Sequence, residues 1–175
     1  MIYIVLSLYF ILLRLVEVMV AKSNEKFQKQ RGAIEVNDPY YKAIVMTHSL
    51  FFIVLLTESY IVHEWQRDIS IVVFTLLVMV QVLRFWTLAS LGRFWNTKVI
   101  VLPSANLVVK GPYKWMKHPN YVIVGLEFIL IPILFYSYVT ATVFLSLHLW
   151  LMTKRIPLEN QALQKLSPNK GRDIR

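Results

Sequence analysis

The sequence predicts an all-α, polytopic membrane protein with about five transmembrane helices, the last two forming a helical hairpin. Three observations carry that expectation. Hydrophobic residues make up 57% of the 175 residues and charged residues only 17%, a balance shifted from that of soluble domains. Several stretches approach the roughly 20 apolar residues that one crossing of the hydrocarbon core requires. Lysines and arginines gather in alternate polar segments between those stretches, the pattern of basic loops held on the cytoplasmic side.

Five apolar segments follow in order: Ile2 to about Ala21, Ala43 to Val62, Ile69 to Ser90, Tyr121 to Ser137 and Val139 to Thr153. The first lacks the basic start and small-residue cleavage site of a signal peptide and carries Arg14 and Glu17, so it reads as a retained helix. The last two form an apolar run too long for one helix, which requires a reversal near Ser137, Tyr138 and Thr140 and a second arm that looks short. The whole chain, 1–175, reads as one membrane domain. Residues 1–90 form a three-helix scaffold, and 91–175 a cofactor-binding loop, the hairpin and a cytoplasmic tail.

Orientation follows from the bases. Lys22, Lys26, Lys29, Arg31 and Lys42 follow the first span, and Arg93, Lys98, Lys110, Lys114 and Lys117 follow the third. The tail adds Lys154, Arg155, Lys165, Lys170, Arg172 and Arg175, whereas the opposite side has only Arg67. The amino terminus is therefore expected outside and the carboxyl terminus in the cytoplasm, at the cell membrane in a prokaryote. The net charge of +9 is matched to anionic lipid rather than to nucleic acid, because the bases lie beside hydrophobic spans. With no cysteine, the chain has no disulfide framework, thiolate nucleophile or zinc-thiolate site.

The segment from Asn24 to Tyr41 reads as an ordinary cytoplasmic loop with a turn at Asn37-Asp38-Pro39. The linker from Leu91 to Asn120 differs: loops of about thirty residues in compact domains are usually functional or disordered, and its aromatic content argues against disorder. Its densest part is Gly111-Pro112-Tyr113-Lys114-Trp115-Met116-Lys117-His118-Pro119-Asn120-Tyr121. Gly-Pro makes a turn, and Pro119 restricts His118 to extended geometry at the entrance of the next helix. Free backbone N–H groups at such an entrance suit a carboxylate, and Tyr113 and Tyr121 offer faces for an adenine ring or a sulfonium. On composition alone the same residues also fit an interfacial aromatic belt with no catalytic role. Farther on, Arg155 and Glu159 lie four residues apart on one helix face that His148 and Met152 extend, with Pro157 between them.

The order of these residues resembles the isoprenylcysteine carboxyl methyltransferase family, small membrane methyltransferases. Their shared pattern runs Gly-x-Tyr, then basic-His-Pro-x-Tyr, here Gly111, Tyr113, Lys117, His118, Pro119 and Tyr121. Leu91-Gly92-Arg93-Phe94-Trp95 and Leu107-Val108-Val109-Lys110 look like the family's lead-in, and Arg155-Ile156-Pro157-Leu158-Glu159 like its Arg-x-x-x-Glu signature. Roughly the carboxyl-terminal half of the chain is covered. The two motif blocks are specific to the superfamily and less so within it, since phospholipid methyltransferases and some sterol reductases carry related signatures.

The resemblance implies an S-adenosylmethionine site lined by Leu107, Val108, Tyr113, His118, Pro119, Asn120, Tyr121 and Glu159, with Arg155 near a lipophilic or lipidated acceptor drawn from the bilayer. Arg155 and Glu159 are the candidate catalytic residues: the first orients an acidic oxygen, the second holds the polar end of the cofactor or takes a proton. Asn160 stands where many relatives carry a second acid, and the tail after Leu166 lacks the Phe-Gly and tyrosine pattern that often follows. His48, His63, His118 and His148 show no ligand spacing, so no metal is expected. Among other polar residues in the spans, Arg14 is expected to pair with Glu17, Glu58, Arg84 and His63 to snorkel from span ends, and Glu127 to be structural. Competing readings are a phospholipid N-methyltransferase, an NADPH-dependent membrane reductase, and a non-catalytic scaffold or small transporter.

Overall fold

The computed structural model describes residues 2–61, 68–103 and 105–166. Arg67 and His63, and the basic residues Lys170, Arg172 and Arg175 of the tail, lie outside them. Five α-helices account for most of the described chain: α1 (Ile2–Lys29), α2 (Tyr41–Ile61), α3 (Ile71–Leu91), α4 (Pro119–Leu134) and α5 (Tyr138–Leu166). Two short strands, β1 (Ile34–Glu35) and β2 (Ile100–Val101), join the α1–α2 linker to the α3–α4 linker.

Three of these helical stretches, Tyr3–Lys29, Tyr41–Ile61 and Ile71–Phe94, are long and apolar enough to cross a membrane. Their outer faces carry exposed Met19, Val72, Val82 and other large apolar side chains, which water would penalise and lipid accepts. The fourth apolar helix, α4, is shorter at 16 residues. It forms the expected hairpin with α5, whose reversal at Phe135 to Ser137 uses a left-handed Tyr136 (φ 56°) and a bond from the Ser137 N–H to the Pro132 carbonyl. The second arm is not short: α5 is 29 residues long and continues through Pro157 into the charged tail.

Inside the bundle, Tyr3, Phe51, Phe128, Phe135 and Phe144 from four helices and the hairpin turn form one aromatic-rich core. Phe51 meets both Phe128 and Phe144 edge-on, at centroid distances of 4.8 and 5.4 Å, so α2 locks the hairpin from one side. Glu58 does not snorkel. Its carboxylate, reaching across from α2, accepts the Val139 and Thr140 N–H groups and the Thr140 hydroxyl, and so caps the amino terminus of α5.

Arg84 also departs from the snorkelling expectation. It is 4% exposed and binds Glu17 through Nε (2.6 Å) and Nη2 (2.7 Å) and Glu127 through Nη1 (2.8 Å). Arg14 pairs with Glu17 as anticipated, at 2.7 Å, and with Glu127 at the same distance, while Gln81 donates to Glu127. Two arginines and two glutamates thus neutralise one another across α1, α3 and α4. Each charge in this apolar setting is tolerable because every one has two partners of opposite charge. The structural role expected for Glu127 is the one it has.

In α1 the helix outlasts the apolar segment read from the sequence. Past Ala21 the helix runs on to Lys29, where a plain loop was expected, and its buried Asn24 and Gln28 donate to the carbonyls of Gly92, Trp95 and Arg93. These bonds fix the start of the long linker against α1. Beyond them β1 pairs with β2 antiparallel, Ile34 opposite Val101 and Glu35 opposite Ile100, and the Val36 N–H continues the ladder to the Val99 carbonyl at 2.9 Å.

The buried charge cluster makes a direct prediction. Glu127→Ala leaves the buried Arg84 and the partly buried Arg14 sharing one carboxylate and should cost about 3–5 kcal/mol, read as a clear fall in unfolding temperature in detergent. Val122→Ala, at an exposed position of the same helix, should be near neutral. Equal unfolding temperatures for the two variants would contradict the network.

Candidate active site

The site is built where the α3–α4 linker enters α4. Gly111 opens a 3₁₀ turn over Gly111–Lys114 with φ 55°, a conformation that costs glycine little. A side chain there would also collide with the Ser90 hydroxyl and press on Trp86, so the turn is seated directly on the end of α3. Trp115 completes the contact, edge-on to Trp86 at 5.7 Å. His118, the N-cap of α4, has φ −129° and ψ 60°, outside the extended geometry expected of a residue before proline, and Pro119 occupies the first helical turn, where its missing N–H leaves nothing unsatisfied.

This entry places four of the expected residues in direct contact. The His118 ring stacks on Tyr121 with centroids 5.4 Å apart and planes 19° apart. Its Nε2 lies 3.0 Å from Asn160 Oδ1, and its Nδ1 3.6 Å from Glu159 Oε2. The Tyr121 hydroxyl donates to Glu159 at 2.5 Å and accepts from Arg155 Nε at 3.3 Å. Tyr121 therefore bridges the arginine and the glutamate one helical turn apart on α5. The buried face of α5, which includes His148, Met152 and Arg155, holds that helix in register, and His148 Nε2 meets the Tyr121 carbonyl at 2.9 Å.

The other expected residues differ in burial and in their ties to this group. Tyr113 is half-buried, and burial together with the charge of Glu159 raises its phenol pKa, so the ring stays neutral across the physiological range. Asn120 sits in the first turn of α4, and its side-chain oxygen is buried without a hydrogen-bond partner. Pro119 is buried at the same turn. Leu107 is exposed and Val108 half-buried, and neither belongs to a packed core of the described residues.

Three participants were not singled out from the sequence. Asp38, read only as a turn residue, pairs through Oδ2 with Arg155 Nη1, and the two side chains are 4% and 5% exposed. The Thr97 carbonyl accepts Arg155 Nη2 at 2.8 Å. Asn160, noted as a departure from an acidic position, supplies the partner of His118. Asp38 gave no signal because Asn-Asp-Pro is sufficient explanation of a turn. Asn160 had one, since it is the residue next to Glu159 on a helix already under suspicion.

The residues present fit S-adenosylmethionine in kind. An orphaned buried acceptor at Asn120 suits an amino group, Glu159 suits an ammonium, and the Tyr113 and Tyr121 rings suit a sulfonium. No alternative set of three or more His, Asp or Glu side chains gathers as a metal site among the described residues.

Residues 71–165 match the isoprenylcysteine carboxyl methyltransferase family, a segment that contains α3, the long linker, α4 and α5. An uncharacterized protein of Bacillus subtilis, YpbQ, is 43% identical over 154 residues, covering 88% of this chain and 92% of the relative. An uncharacterized protein of Haemophilus influenzae is 23% identical over 157 residues, covering 89% and 91%. No solved structure matches. The shared segment spans both motif blocks and the contacts between them, and the chain belongs to the isoprenylcysteine carboxyl methyltransferase family.

Proposed function

We propose that this protein is an S-adenosylmethionine-dependent O-methyltransferase acting on a carboxyl, enol or phenol oxygen of a lipophilic acceptor at the cytoplasmic face of the membrane. The observation that carries the proposal is the convergence of the His118 to Tyr121 turn with Arg155 and Glu159, sealed by the 2.5 Å bond between Tyr121 and Glu159. Two segments that sequence separates by an entire helical hairpin share one hydrogen-bonded group.

When bound, the cofactor supplies a methyl group activated by a neighbouring positive charge. The residues of the chain supply position and surroundings. His118, Tyr113 and Tyr121 offer an aromatic, weakly hydrated lining in which opposite charges attract more strongly than in water. Glu159 holds the polar end of the cofactor or accepts a proton from an acceptor that arrives neutral. Arg155 presents a guanidinium to the acceptor oxygen and holds it in line, which is where most of the acceleration in such a displacement originates. The bilayer side of the site admits the hydrocarbon part of an isoprenylcysteine-like or long-chain polyketide-like acceptor. In this reading all five helices lie in or at the membrane, with the amino terminus outside and the basic linkers and carboxyl terminus in the cytoplasm.

Titration of the detergent-purified protein with S-adenosylmethionine should show saturable binding, and NADPH should show none; the reverse would select the reductase reading. Methyl incorporation into a panel of long-chain acids and phenols should then separate the two α5 residues. Arg155→Ala should lower kcat by about 100-fold with cofactor affinity nearly intact, whereas Glu159→Ala should weaken cofactor binding about tenfold or more. Full activity in both variants would remove their assigned roles.

A further inference from the structure

Arg155, the residue assigned to the acceptor, is already gripped from outside the segment that matches the family. Its Nη1 meets Asp38 of the α1–α2 linker, its Nη2 the Thr97 carbonyl of the α3–α4 linker, and its Nε the Tyr121 hydroxyl. Each edge of the guanidinium is thereby fixed from a different element. Asp38 cannot swing freely, because its other oxygen accepts the Tyr40 N–H at 2.9 Å and its carbonyl accepts the Tyr41 N–H where α2 begins.

The strand pairing explains how the grip is assembled. Ile34 opposes Val101, Glu35 opposes Ile100, and Val36 bonds to Val99. Past Val36 and Val99 the ladder ends and the chain bends at Thr97 and Lys98, and Asp38 from one linker and the Thr97 carbonyl from the other both reach the guanidinium. Thr97 is itself pinned, its N–H bound to Asn96 Oδ1 at 2.8 Å and its hydroxyl 3.3 Å from the Tyr41 hydroxyl. One anchored group from each of the two linkers thus converges on one side chain of α5. That side chain is one hydrogen bond away from the Tyr121–Glu159 pair.

We infer that Asp38 is a positioning residue for methyl transfer: it holds the Arg155 guanidinium in the plane and direction needed at the acceptor without touching cofactor or acceptor. The inference rests on the methyltransferase reading for its kinetic consequence, though not for its geometric one. A carboxylate at this place fixes both the charge and the roll of the guanidinium, since a planar group bonded on three edges has no rotational freedom left. Loss of the carboxylate frees the side chain to turn toward Glu159. A misplacement on the order of 1 Å at a reacting group can cost about 100-fold in rate.

The test uses the full chain in detergent with Asp38→Asn, Asp38→Glu and Asp38→Ala, alone and in the Arg155→Ala background. Asp38→Asn and Asp38→Ala should lower kcat by about 30- to 100-fold, while the dissociation constant for S-adenosylmethionine and the KM for the acceptor stay within about threefold. Asp38→Glu should recover part of kcat, because the charge is kept and only its reach is changed. In the Arg155→Ala background Asp38→Ala should cause no further loss, as expected for residues acting as a unit. Independently of activity, the Arg155 Nε–H signal in nitrogen-15 spectra, assigned by its absence from Arg155→Ala, should lose protection from solvent exchange in Asp38→Asn.

An unchanged kcat, losses that multiply in the double variant, or an Nε–H signal as protected as in the wild type would each overturn the assignment. If Asp38→Ala fails to give a monodisperse protein, Asp38→Glu carries the same comparison with the charge retained. If the wild type transfers no methyl group, the proposed function fails by itself, and the Nε–H comparison still decides whether Asp38 holds Arg155.

Discussion

A guanidinium taken out of water must be paired on the spot, and the pairing of Arg155 organises the end of this protein where the α1–α2 and α3–α4 linkers lie. Asp38, Thr97 and Tyr121 come from the α1–α2 linker, the α3–α4 linker and the first turn of α4, and all three converge on a residue of α5. None of those segments is held to the others by a large apolar core. The small satellite cluster of Val99, Val101 and Ala162 adds apolar contact between β2 and α5, and the bonds of Asp38 and Thr97 to α5 run to the arginine. Without that side chain Asp38 and Thr97 lose their bonds to α5, while the strand ladder still joins the two linkers.

The membrane-embedded part obeys the same rule in a different place. Arg14, Glu17, Arg84 and Glu127 pair across α1, α3 and α4, so that charges intolerable singly become a fixed joint between helices. Glu58 does comparable work at the far end of the hairpin by capping α5. The aromatic core and these polar joints set the depth and roll of α4 and α5. His118, Tyr121, Arg155 and Glu159 inherit their positions from that setting, which is how a bundle of lipid-facing helices presents a chemical site at its edge.

Much of this was legible in the sequence, and the failures have physical causes. The apolar segments gave the helices, and the ordered residues from Gly111 to Tyr121 and from Arg155 to Glu159 gave the heart of the site. Span ends were mistaken for helix ends in α1, because Ser23 to Lys29 is too polar for lipid yet continues as helix with Asn24 and Gln28 buried against the next linker. Strands of two residues carry no alternation that a pattern can register, so β1 and β2 were invisible. Arg84 and Glu58 were assigned by their distance from a span end, a criterion blind to a carboxylate or an N–H group supplied by a neighbouring helix. Asp38 and Arg155 stand 117 positions apart, and a pair formed only by tertiary folding leaves no local trace.

The pairing of the two linkers is the step that delivers Asp38 to Arg155, and the absence of cysteine from the chain makes it simple to test. In a double variant with cysteines replacing Ile34 and Val101, directly opposed across the strands, mild oxidation in native membranes should produce an intramolecular disulfide in high yield. A pair placing cysteines at Ile34 and Lys110 serves as the control and should stay reduced. Failure of the first pair to cross-link, or equal cross-linking of both, would contradict the account.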